Sequence, residues 1–60
     1  MQVNNAAELL YEVVRAHGYL EYCYTTPYYY LSAWRYRGET YRCYFHLDSQ
    51  LEQPYKVEQE

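Results

Sequence analysis

The chain has one lysine, two glycines, two prolines, two cysteines and no apolar run long enough to cross a bilayer. Each shortage excludes something. Five basic residues, of which only Lys56 is a lysine, stand against eight acidic ones for a net charge of −3, which argues against a binder that relies on a basic surface to hold nucleic acid. The start of the sequence lacks the basic and apolar segments of a secretory signal, so the expectation is a soluble, cytoplasmic protein. In that compartment Cys23 and Cys43 should be reduced and pack as small apolar residues. No Cys-x-x-Cys or His-x-x-x-His spacing gathers His17, Cys23, Cys43 and His46, so neither a metal nor another cofactor is expected. Sixty residues make one small domain with little volume for an enclosed active site, and no catalytic motif is present. The expectation is a protein that is not an enzyme.

What the chain has in excess is tyrosine. Eleven of its sixty residues are tyrosine, and eight of these lie between Tyr19 and Tyr41, interleaved with Trp34, Arg35 and Arg37. A tyrosine ring is apolar and its hydroxyl seeks water or a partner, so such density suits a contact surface more than a core. Charge is unevenly placed. Glu8, Glu12, Glu21 and Glu39 balance Arg15, Arg35, Arg37 and Arg42, whereas Asp48, Glu52, Glu58 and Glu60 face Lys56 alone.

Asn5 to Glu8 has the pattern of a capping box, and the spacing of Ala6, Leu9, Leu10, Val13 and Val14 predicts a helix to about His17. Glu8, Tyr11, Glu12 and Arg15 fall on its opposite side. Arg15 and His17 suit the last turn, and Gly18 suits a left-handed helix end. Tyr19–Tyr24 reads as a first strand, Thr25-Thr26-Pro27 as a three-residue turn, and Tyr28–Arg37 and Thr40–Leu47 as two strands joined by a Gly38-Glu39 turn of type II′. That loop pairs Trp34 with Cys43, Ser32 with Phe45 and Arg35 with Arg42. Tyr22 and Tyr24 then join Trp34 and Phe45 on the side that the helix covers. The expected fold is α+β: one N-terminal helix packed on a three-stranded antiparallel meander (αβββ) over residues 1–47. Residues 48–60 are expected to form a mobile acidic C-terminal tail, with Ser49 to Glu52 as one short helical turn and Tyr55 to Val57 loose in preference to joining the sheet edge.

The uncovered sheet face is then the candidate site, presenting Tyr19, Glu21, Tyr29, Leu31, Arg35, Arg37, Arg42, Tyr44 and His46 to a partner. Arg35 opposite Arg42 is unfavourable unless an acidic partner, Glu21 or the tail neutralises the pair. Tyrosine and arginine are the residue types of protein-binding hot spots. In size and character the chain resembles the small inhibitors that phages deploy against host defence systems, of which anti-CRISPR proteins are the best-known group. That resemblance implies a larger protein or ribonucleoprotein complex as the partner and inhibition by surface occupation. The alternative is a stacking platform for single-stranded nucleic acid, and self-association into a homodimer would use the same aromatic face or the outer strand edges.

Overall fold

The computed structural model describes residues 6–48 and 53–60, so the Asn5 cap and the short helical turn expected at 49–52 lie outside the described residues. Helix α1 spans Ala6–His17, and the Gly18 N–H donates to the Val14 carbonyl at 2.8 Å to close its last turn. Gly18 is not left-handed, since the only glycine with positive φ is Gly38. It is required for closeness: a Cβ there would collide with the backbone carbonyl of Arg35.

The helix is rotated from its expected setting by roughly one residue's step, about 100°. Tyr11 is only 6% exposed and Val14 is fully buried, while Leu9 is 65% exposed. The cause is the size of the tyrosine ring. It reaches the sheet and packs edge-on against Phe45, with centroids 5.1 Å apart, and against Trp34 at 6.2 Å. Leu10, Tyr30, Trp34, Tyr36, Tyr41 and Val57 pack around the buried group of Tyr11, Val14, Cys43 and Phe45.

The sheet has four antiparallel strands in the order β1-β2-β3-β4, formed by Tyr19–Thr25, Tyr30–Tyr36, Glu39–Phe45 and Lys56–Gln59. The expected meander is therefore present and is extended by one strand. Residues expected in a mobile tail instead pair with β3, setting Val57 beside Cys43 on the core side and Glu58 beside Arg42 on the other. Bonds from Tyr55 N–H to the Tyr44 carbonyl and from Glu60 N–H to the Thr40 carbonyl prolong this pairing at both ends.

Both turns differ from expectation. The β2–β3 loop is Arg37-Gly38, with φ of 54° and 81°, which is the signature of a type I′ turn. Pairing shifts by two residues, so Arg35 lies opposite Thr40 and Arg42 opposite Ala33, not opposite each other. A shift of two preserves side-chain parity, and the faces of β2 and β3 remain as expected. The β1–β2 loop is Pro27-Tyr28, held by Thr26, whose Oγ1 accepts from the N–H groups of Tyr28 and Tyr29 at 3.0 Å. This changes parity. Tyr22 and Tyr24 lie opposite Ala33 and Leu31, on the face away from the helix, and an irregularity between Leu20 and Tyr22 returns Leu20 to Trp34 and Tyr19 to Arg35.

Truncating the buried Phe45 to alanine should cost about 3–5 kcal/mol and leave a domain of this size largely unfolded. Tyr11→Ala should also be strongly destabilising, by about 3 kcal/mol, whereas Leu9→Gln should stay within about 0.5 kcal/mol of wild type. Urea melts of the three variants check the helix rotation, because the expected setting reverses the order of Tyr11 and Leu9. Arg37→Asn, which suits a left-handed turn position, should stabilise the protein by up to about 1 kcal/mol in the same assay.

Candidate functional site

Alternation along the strands sends Leu31 and Ala33 of β2 and Thr40 of β3 to the face that α1 does not cover. All three are nevertheless buried, Leu31 to 1% exposure. Among the described residues no helix or strand lies over them. The cover is made by long side chains from the flanking strands and turns.

Two polar clusters form that cover. In the first, Glu21 accepts a hydrogen bond from the Thr40 hydroxyl at 2.8 Å and pairs with Arg35 at 3.6 Å, while Arg35 donates to Thr40 Oγ1 at 3.3 Å. In the second, Glu58 receives the Tyr44 hydroxyl at 2.9 Å, Arg42 at 3.2 Å and the Lys56 ammonium at 3.4 Å. Lys56 also sits 4.7 Å from the centre of the Tyr44 ring. Tyr22, on β1, reaches across the sheet to donate to Glu60 at 2.8 Å. The rings of Tyr22 and Tyr24 lie parallel, 6.3 Å apart, and Tyr29 meets Tyr44 edge-on at 5.1 Å. Arg42 Nε is buried and has no hydrogen-bond partner among the described residues, a local cost of about 1–3 kcal/mol.

Most of the expected contact residues are brought together here. Tyr19, Glu21, Tyr29, Arg35, Arg42 and Tyr44 share the face, but Leu31 is its floor and is not accessible to a partner. Arg37 stands in the turn, with its guanidinium 5.4 Å from the Tyr36 ring. His46 follows β3 and stacks on Tyr55 at 4.2 Å. Arg35 and Arg42 are neutralised by Glu21 and Glu58 within the chain, so no acidic partner is needed to relieve them.

Tyr22, Tyr24, Glu58 and Glu60 belong to the face and were absent from the expected set. A signal for the two tyrosines exists: Thr26-Pro27 suits the first two positions of a type I turn, and a two-residue loop gives the observed parity. Among the described residues there is no cavity, and no group of His, Cys, Asp and Glu side chains is placed to hold a metal ion. No family model, curated protein or solved structure matches the chain.

The polar contacts bias titration in opposite directions. The hydrogen bond to Glu60 raises the Tyr22 phenol, and desolvation followed by the bond to Glu58 raises that of Tyr44. The Tyr44 hydroxyl, aided by Lys56 and Arg42, lowers the Glu58 carboxyl. A raised phenol contributes stability that is complete below its ordinary value of about 10 and is lost as pH rises beyond it. A lowered carboxyl contributes stability that is complete above the ordinary glutamate value of about 4.3 and is lost as pH falls below it. Denaturant midpoints should therefore drop on both sides. Tyr22→Phe and Tyr44→Phe should flatten the alkaline limb, and Glu58→Gln the acid limb.

Proposed function

We propose that the protein is a non-enzymatic binding module that docks the face away from α1 onto a larger protein or ribonucleoprotein complex and acts by occupying that surface. The partner class we favour is a host nucleic-acid-handling defence complex, with the chain as a small phage-type, anti-CRISPR-like inhibitor. The observation that carries the binding reading is a set of exposed phenol rings held in place above a buried floor. Tyr24 remains 47% exposed although it is stacked on Tyr22, and Tyr19 is also exposed. Rings already held by neighbours lose little freedom on docking, and their hydroxyls can bond across a wet contact.

The stacking-platform alternative requires cations free to follow phosphates. Arg35, Arg42 and Lys56 each have a carboxylate within 3.6 Å, and that pairing favours a protein surface as the target. It also makes charge reversal at Arg35 or Arg42 a poor probe, because it would disturb the monomer.

Affinity capture from nuclease-treated lysate of the native host tests the proposal, comparing wild type with Tyr19→Ser/Tyr29→Ser. The expected result is a protein partner retained by wild type and lost with the variant, whose circular dichroism stays unchanged. Recovery that disappears with nuclease would favour the nucleic-acid platform. A partner retained equally by the variant would remove this face from the account.

A further inference from the structure

The two edges of the sheet differ in kind. β4 is four residues long and carries Lys56 and Glu58, the short, charged form that discourages further pairing. β1 is seven residues long, and every one of them is exposed, including Leu20, Tyr22, Cys23 and Tyr24. It contains no lysine or proline, and Glu21 is its only charge. The irregularity between Leu20 and Tyr22 disturbs its first half only, leaving Tyr22 to Thr25 as an unprotected edge of strand-forming residues.

The phase of this edge follows from the turn. Thr26 N–H donates to the Tyr29 carbonyl at 2.8 Å. Antiparallel alternation then directs the backbone groups of Tyr24 and Tyr22 toward β2 and those of Cys23 and Thr25 toward the open side. We infer that this edge pairs antiparallel with β1 of a second copy about a two-fold axis at Cys23, joining two sheets into one continuous sheet. In that register Cys23 meets Cys23 of the second copy, Thr25 meets its Glu21, and Tyr22 meets its Tyr24. The stacked Tyr22/Tyr24 pairs of the two copies then form one cluster of aromatic rings on the face away from the helices.

A second copy fits this edge on charge and symmetry. The axis sets no charge against its own copy, because the strand's one carboxylate, Glu21, is turned across its own sheet onto Thr40 and Arg35. Glu58 and Glu60 lie along the opposite edge, away from the seam. The pairing shares Tyr22 and Tyr24 with the proposed binding face, and its test is kept distinct because Tyr19 and Tyr29 lie outside the Tyr22–Thr25 seam.

Sedimentation velocity over a concentration series in reducing buffer tests the pairing. The wild type should move from the mass of the 7.4 kDa chain to twice that mass as concentration rises. Cys23→Pro removes an outward N–H without touching the bonds to β2, and should remain at the chain mass with wild-type circular dichroism. Cys23→Lys keeps every backbone bond and sets two lysines against each other, and should show the same loss. Under mild oxidation the wild type should form a covalent dimer through Cys23, since a hydrogen-bonded antiparallel pair sets Cα atoms about 5.5 Å apart. Cys43 is fully buried, with its thiol pushed up to about 12 by desolvation, and should not react. A wild type that stays monomeric at every concentration overturns the inference, as does a dimer that Cys23→Lys leaves unchanged.

Discussion

A sheet has two faces, and among the described residues this one has a single helix to cover them. Everything distinctive in the molecule follows from how the second face is closed. Leu31 and Ala33 sit there in the central strand, and exposing them would leave an apolar strip in water. Side chains from the flanking strands close over the strip: tyrosine rings supply area, and carboxylates anchor them. The Tyr22–Glu60 and Tyr44–Glu58 bonds hold rings in place. The ion pairs are partly exposed and contribute modestly to stability, so their main effect is to fix geometry. The polar content of the face is largely matched internally, and ring surface is what remains for a partner.

Much of this was legible in the sequence, and the failures have identifiable causes. The helix limits, the first three strands and the core roles of Phe45 and Trp34 follow from periodicity and propensity. The turn between β2 and β3 shows how a wrong local reading can leave the larger pattern intact. Gly38 is the second loop residue and not the first, yet the slip is an even number of residues and every side chain of those strands keeps its face. The first hairpin shows the reverse. One residue fewer in the loop carried Tyr22 and Tyr24 to the other side of the sheet, and the irregularity near Glu21 has no sequence signature. The helix sits differently because the Tyr11 ring outweighs its hydroxyl and packs on Phe45. The charge of residues 48–60 suggests a solvated tail, whereas in β4 Lys56 and Glu58 point outward and Val57 inward, as an edge strand requires.

The candidate site was legible in composition more than in membership. Arginines that looked repulsive in the expected register are separated, and each has a glutamate from an outer strand. The tyrosines that looked like core, Tyr22 and Tyr24, are exposed on the face. The resulting surface is aromatic, close to electrically balanced and fixed before any partner arrives, which favours recognition by ring contact over recognition by charge. Its border is the unprotected β1 edge, so a copy joined there would extend the aromatic surface without altering either core.

The claim on which this account rests is that the second sheet face is sealed by its own side chains. Nuclear Overhauser contacts from the methyl groups of Leu31 and Ala33 test it most directly. The account predicts contacts from Leu31 to the rings of Tyr24 and Tyr44 and from Ala33 to the ring of Tyr22, with none to α1. Contacts from those methyl groups to Tyr11 or Val14 would put them under the helix and contradict it.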